Sequence, residues 1–587
     1  MYNFTHRFFV SEKIIFTVLL LLVIGNYVKA QFQYSNHPDA VENPSVPKGI
    51  ISGPFYNYSK LLKGTVHEYW IYVPHQYSNQ KASQLTVVFD GVNMAKNWNL
   101  PVVFDNLIFK NEIPVTIGLF ISPGIKLAKR DNVFNKPNRS VEYDGTGNLL
   151  PEIVMTEIIP VINKQYAIAD SNNLVMGNSS GGNAAFNMAW EQSAFFQRVY
   201  SGIGSFTGLR SGENFPVLIR KTEPKALRIF LQDGSNDLNN FSGEWFAVNR
   251  HMLSSLQWAG YEVNYAWGDD GHNPKHGAAI MPDVLRWLWK DFPASIQAGK
   301  NSKSDFKFLQ PGEKWKLIKE FKDSISCLTT GLSGDLLIVS GKNIWLHEIN
   351  NGLINKYQFP KSISAISFTA TGSYLCSFQG EQSIQLRNEA NKVVQTFNGI
   401  SADDLLCYGD GFYWTNKKQK IIGRVSLSTK QKSIYCFQST PTGLSLHPEK
   451  SFLYVNGQMN KLGSLFTVDS LFQLSDEQPY LHYQVVYPDY NVHPGKMIVD
   501  TNNFVITCTD IGLQVTDQLG RTNLIIPLPK KEKPAALALA GENKNILYAS
   551  SGKKLYARVV NTQGFLSQGN VVKPPRPQHI NIAPLKK

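Results

Sequence analysis

Cysteine is scarce in this chain: 587 residues hold five, Cys327, Cys376, Cys407, Cys436 and Cys508, all in the C-terminal half. None shares a C-x-x-C spacing, and an odd, scattered set excludes a disulfide framework and a thiolate metal cluster. Their placement in strand-like runs such as GSYLCSF and FVITCTD reads as buried thiols. Long apolar runs are as rare. After IIFTVLLLLVIG near the start, nothing approaches the roughly 20 residues that a bilayer span requires. Lys/Arg blocks interleaved with aromatics are also missing. The net charge of +13 therefore implies weak attraction to anionic glycans or envelope surfaces, with no nucleic-acid partner. Bulk disorder is excluded as well, because 43% hydrophobic and 12% aromatic residues are ample for a globular core.

The first 30 residues read as an export signal. Arg7 and Lys13 precede the short apolar core, and Val28 and Ala30 supply small residues at cleavage spacing before Gln31. No cysteine comes directly after that point, which argues against a lipid anchor. The expectation is a mature protein without a membrane span, periplasmic or extracellular.

Two rhythms meet near residue 300. Between residues 51 and 297, strand-like runs (EYWIYVP, LTVVFDG, VTIGLFISPG, NNLVMG, ALRIFLQDG, YEVNYAWG) alternate with helical patterns such as PEIVMTEIIPVINKQY, GEWFAVNRHMLSSLQWAG and AAIMPDVLRWLWKDF. Continuous apolar strands separated by helices predict a mostly parallel sheet with helices on both faces. Residues 31–50 form an N-terminal extension and 298–312 a polar linker. From 313 to 570 helical patterns vanish and a turn-then-strand unit recurs six times, anchored on Leu336, Tyr374, Phe412, Leu453, Phe504 and Leu547, at spacings of 38, 38, 41, 51 and 43 residues. Repeats of about 40–50 residues built only from short strands predict a six-bladed propeller. Residues 571–587 are a Pro- and Lys-rich tail, an extended strap or a disordered end.

The first rhythm contains one stretch with chemistry in it, LVMGNSSGGNAAF at 174–186. Gly177-Asn178-Ser179-Ser180-Gly181 fits G-x-S-x-G between a strand and a helix, the setting in which a serine is held in a sharp turn as a nucleophile. Ser180 fits less well, since Asn178 stands where its first glycine belongs. An acid and a base are expected in turns after later strands, in the order Ser, Asp/Glu, His. Asp237 comes after ALRIFLQDG and His272 after YEVNYAWG. Asp233 and His276 are their rivals. The backbone N–H of Ser180, with that of Gly91 or Val92 after LTVVFD, would hold an oxyanion; an ordinary Asp90-Gly91 turn is the competing reading.

With LTVVFDGVNMAKNW, PVTIGLFISPG, RSVEYD, GNSSGGNAAFNMAWE, FLQDGSNDLNN and HGAAIMPDVLRWLW, residues 51–292 resemble the esterase branch of the α/β-hydrolases. That branch includes enterochelin (ferric enterobactin) esterases and feruloyl and acetylxylan esterases. The resemblance implies the triad Ser179, Asp237, His272, and ester hydrolysis through an acyl-enzyme without a cofactor. It also places Arg139 and Glu142 near the site, as substrate contacts or as an internal pair bracing the loop.

The repeats, in TGLSLHPEKSFLYVN, GKMIVDTNNFVITCTDIGLQVTDQLGRTNLIIPLP and ENKNILYASSGKKLYARVV, resemble the gluconolactonase and senescence-marker-protein (regucalcin) propellers. Those propellers hold a divalent metal in the central channel. Here Thr442 stands where that family has an asparagine ligand and Gly495 where it has an aspartate. Lys496 is next to Gly495, Asp403-Asp404 replaces an N-D pair, and E-G-P has no counterpart in the first blade. The expectation is an exported serine esterase acting on an acyl-carbohydrate or siderophore-type ester, with a metal-free propeller for binding or scaffolding. The alternatives are a metal-dependent lactonase in the propeller and a non-catalytic binding protein.

Overall fold

The computed structural model describes residues 34–300, 308–348, 352–458, 461–486 and 492–576. The export signal expected at 1–30 and parts of the extension, linker and tail lie outside the described residues. Among the described residues, no helix is long and apolar enough to cross a membrane. The chain forms two compact units. The first takes in the chain up to Glu213 with Lys225–Gln257 and Tyr261–Gly299, and the second takes in Asn214–Pro224, Trp258–Gly260 and the chain from Lys300 onward.

The first unit is built on a ten-stranded sheet. Its strands are β1 (Ile50–Tyr58), β2 (Thr65–Val73), β3 (Gln84–Phe89), β4 (Thr116–Ile121), β5 (Ile125–Lys126), β6 (Lys136–Pro137), β7 (Asn173–Asn178), β8 (Phe196–Gly202), β9 (Arg228–Gly234) and β12 (Glu262–Gly268). A two-residue ribbon, β10 (Asn239–Asn240) with β11 (Gly243–Glu244), stands apart. The order is β12-β9-β8-β7-β3-β4-β2-β5-β6, with β1 on β2. The run from β12 to β4 is parallel throughout, and β2 pairs antiparallel with β4. Strands β3, β4, β7, β8 and β9 are buried along their whole length, which requires cover on both faces.

Helices α1 (Gly91–Asn97), α2 (Leu100–Phe109), α3 (Ser180–Glu191), α4 (Trp245–Trp258) and α5 (Lys275–Trp289) supply most of that cover. On one face Val88, Phe120, Met176 and Tyr200 pack against Phe104 of α2 and Leu285 of α5. On the other, α3 lies along β7 and β8. The pattern read as one helix over 151–166 is broken: α-helical turns at Leu149–Ile153 and Ile159–Ile162 flank a wider π turn at Val154–Ile158. Pro160, which has no N–H to donate, stands just after that wider turn.

The second unit is a six-bladed β-propeller of four-stranded antiparallel sheets. The inner strands Ile325–Thr330, Ile363–Phe368, Asp404–Cys407, Pro441–Leu446, Met497–Val499 and Ala536–Ala540 neighbour one another in a closed ring. Lys316–Glu320 closes it by pairing with Lys554–Val559 of the last blade. The repeats are legible because second strands such as Leu336–Ser340 and Tyr374–Phe378 are wholly buried, whereas outer strands such as Gly352–Gln358 are mostly exposed. Four cysteines are buried and unpaired, but Cys436, at the end of an outer strand, is exposed, which corrects the reading of all five as buried thiols.

Candidate active site

The tight turn after β7 explains its glycines. A Cβ on Gly177 would lie 1.9 Å from the carbonyl oxygen of Gly181, so nothing larger than glycine fits without moving the backbone. A Cβ on Gly181 would approach Asp90 Oδ2 at 2.8 Å. Between them Ser179 sits at φ 58°, ψ −125°, a conformation that side chains rarely adopt, at the start of α3. That turn lifts its hydroxyl off the end of the sheet.

Two later turns bring partners to it. Ser179 Oγ donates to His272 Nε2 at 2.7 Å, and His272 Nδ1 donates to Asp237 Oδ1 at 2.6 Å. His272 lies beyond β12 and Asp237 beyond β9, the neighbouring parallel strand. The Asp237 side chain is fully buried and that of His272 is 22% exposed. Residues 63–272 match the Esterase family, described as "Putative esterase".

Solved structures are similar at low sequence identity. An enterobactin esterase from Shigella flexneri is 18% identical over 45% of this chain and 65% of that one, with a TM-score of 0.35. A gluconolactonase from Xanthomonas campestris is 12% identical over 44% of this chain and 96% of its own, at 0.38. A calcium-binding regucalcin from Agrobacterium tumefaciens is 10% identical over 43% and 96%, at 0.37. At these scores each is a similarity and carries nothing further for this chain. No curated protein matches it.

Ser205 and Trp245, around Ser179, are contacts that sequence reading missed. Ser205 Oγ lies 3.3 Å from Ser179 Oγ and accepts from Trp245 Nε1 at 3.1 Å. The Trp245 indole stands edge-on to the His272 ring at 5.8 Å. His276 is apart from this chain of hydrogen bonds. It is buried in the first turn of α5, stacked on Tyr34 at 4.8 Å and 3.2 Å from Gln232 Nε2, and burial lowers its pKa.

Asp233 lies behind Asp237. Its Oδ1 accepts from Gly234 N at 2.7 Å and its Oδ2 from Asn249 Nδ2 at 2.8 Å. Burial, then the hydrogen bond and charge of Asp237, push the Asp233 carboxyl up to about 9.

At the other side of the serine, Asp90 and Gly91 turn the chain with φ of 65° and 70°. The close approach of Asp90 to Gly181 sets this turn beside the first N–H groups of α3. Arg139 holds it: Nε and one terminal nitrogen reach the two Asp90 oxygens at 2.7 and 2.8 Å. Glu142 is fully buried, with Oε1 3.2 Å from His67 Nε2 and Oε2 accepting from Gly124 N at 2.9 Å. Arg139 and Glu142 are thus each engaged elsewhere and not as a pair with one another: Arg139 holds Asp90, and both carboxylate oxygens of Glu142 are engaged inside the fold.

The propeller channel does not fit the divalent ion that its family resemblance implies. Thr442 Oγ1 donates to the Pro494 carbonyl at 2.5 Å, and Gly495 has no side chain to offer. Asp404 already pairs with the Lys496 ammonium, which also donates to the Asp403 carbonyl at 2.9 Å. Burial opposes the Lys496 charge, but Asp404 beside it holds its pKa above the ordinary range. Among the described residues, no three His, Cys, Asp or Glu side chains converge as a metal site, and a hard cation needs several oxygen donors at one point. The channel keeps a cavity of about 120 Å³, lined also by the C-terminal segment Gly564–Gln568.

Proposed function

We propose that the protein is a serine-dependent carboxylic ester hydrolase. The observation that carries this reading is the continuous relay of Ser179, His272 and Asp237, its serine held in a strained turn between strand and helix. His272 Nε2 takes the Ser179 proton as Oγ bonds to the ester carbonyl carbon. Negative charge then gathers on the carbonyl oxygen, where the N–H groups of Ser180 and Gly91 donate to it. Asp237 fixes the Nδ1–H tautomer and steadies the imidazolium. As the ester C–O bond breaks, His272 returns the proton to the leaving alcohol. Water, deprotonated by the same imidazole, then releases the acid and regenerates the serine. Arg139 serves by holding Asp90, and with it the Gly91 N–H.

The expected export signal and the match to an esterase family support a substrate met outside the cytoplasm, in the periplasm or beyond: an acyl-carbohydrate or siderophore-type ester, with no nucleic-acid partner. The propeller then serves as a binding or scaffolding unit. The test is hydrolysis of a short-chain p-nitrophenyl ester by wild type, Ser179→Ala and Ser180→Ala. Loss of Ser179 should lower kcat by roughly ten-thousandfold, and full activity without it would refute the assignment. Acetylated and feruloylated glycans assayed beside a catecholate trilactone would identify the acyl group.

A further inference from the structure

The acid of the relay has a second carboxyl group behind it. Asp233 lies at the end of β9, and four residues later Asp237 turns back over it, its N–H donating to the Gly234 carbonyl at 3.1 Å. Both side chains are buried. Asp237 Oδ1 is engaged twice, by His272 Nδ1 at 2.6 Å and by its neighbour Leu238 N at 2.5 Å. Its Oδ2 is buried and meets no N–H or hydroxyl donor among the described residues. The Asp233 carboxyl group lies close behind it: after burial, interaction with Asp237 is what raises the Asp233 pKa. Two carboxylates can share a hydrogen bond only if one carries a proton. Asp233 also accepts two hydrogen bonds, from Gly234 N and Asn249 Nδ2, but Asp237 Oδ1 faces the imidazole that becomes a cation during the reaction, so the negative charge is better placed on Asp237. The other groups facing Asp233 are Tyr200 from β8, whose pKa burial and then Asp233 raise, and the neutral amide of Asn249 from α4.

We propose that Asp233 is a positioning residue: as a neutral acid it donates its proton to Oδ2 of Asp237 and so fixes the carboxylate that orients His272. The inference rests on the serine-esterase reading for its effect on activity, but not for its protonation state. At neutral pH the site then holds one buried negative charge instead of two. As pH rises through the range where Asp233 titrates, its proton leaves, Asp237 faces a like charge, and activity falls.

The experiment compares wild type with Asp233→Asn, Asp233→Leu and Asp237→Asn over pH 6 to 10. Asp233→Asn keeps a neutral donor, so it should stay within about tenfold of wild type at pH 7 and lose the alkaline decline. Asp233→Leu should fall by about ten- to a hundredfold, mostly in kcat, because the buried Oδ2 is left without a donor. Asp237→Asn should fall about a thousandfold or more. Asp233→Asn as inactive as Asp237→Asn, or with the wild-type alkaline decline, would overturn the proposal and leave the esterase reading standing. If Ser179→Ala proves fully active, the esterase reading fails instead. Infrared spectroscopy covers that case and any variant that folds poorly: wild type and Ser179→Ala at pH 7 should both show a protonated-carboxyl band that is missing from Asp233→Asn. Absence of that band in wild type refutes the proposal.

Discussion

Replacing Lys496 by Met takes the ammonium out of the propeller channel and leaves Asp404 with no countercharge there. Removing one partner of a buried ion pair costs about 3–5 kcal/mol, because the survivor remains charged in a poorly solvated place. The two side chains are 18% and 15% exposed, and Asp404 keeps the N–H groups of Leu444 and Leu405, each at 3.1 Å. Those contacts put the expected loss at the lower end, about 3 kcal/mol. For a unit of this size that is a fall in Tm of roughly 6–12 °C. Asp404→Leu should cost a similar amount, since Lys496 would keep the Asp403 carbonyl but lose its carboxylate partner. The double variant should lose much less than the sum, with a coupling of about 1.5–3 kcal/mol. Scanning calorimetry of the full chain reads all three. Calcium, zinc or manganese should raise the Tm neither of wild type nor of Lys496→Met, because Thr442 and Gly495 supply no free ligand. Single variants that change stability by less than about 0.5 kcal/mol and add independently would refute the reasoning. So would an ion that restores Lys496→Met.

Gly177→Ala should cut esterase kcat by about a hundredfold while circular dichroism stays near wild type. Its Cβ would sit 1.9 Å from the Gly181 carbonyl oxygen, and the adjustment must displace Ser179 from a 2.7 Å hydrogen bond. Full activity would contradict the tight turn. His272→Ala should match Ser179→Ala in steady-state assays, whereas His276→Ala should keep a substantial fraction of activity, since its ring meets Gln232 and Tyr34 and not the serine. The reverse pattern would move the base to His276.

Legibility in the sequence tracked what constrains the backbone. Gly177, Ser179 and Gly181 were readable because the turn tolerates almost nothing else, and Asp237 and His272 because parallel strands deliver their C-terminal turns to one edge. The blades were readable because each repeats one buried strand. Strand β8 was not, although it lies inside the sheet. Its FQRVYSG places Gln197 and Arg198 in a buried strand, and Arg198 is accommodated by groups distant in sequence, among them the Leu288 carbonyl at 2.8 Å, the Asn172 carbonyl at 3.0 Å and the Trp289 ring at 4.4 Å. Ser205, just beyond that strand, was missed with it, and Trp245 carries no local signature that points to a histidine in another turn. Asp233 was visible as a rival to Asp237. Which of the two faces His272 depends on how the turn at 234–237 folds back, and residue types alone do not fix that.

The most direct test of the central claim is to trap the acyl-enzyme. The full-length protein is mixed with an activated ester such as p-nitrophenyl acetate, quenched in acid within milliseconds to seconds, digested and analysed by mass spectrometry. The account predicts an early burst of nitrophenol and an acetyl group on the peptide at Ser179, absent from Ser179→Ala and accumulating only slowly in His272→Ala. Turnover with no adduct at Ser179, or the same adduct on Ser180 or another residue in Ser179→Ala, would contradict it.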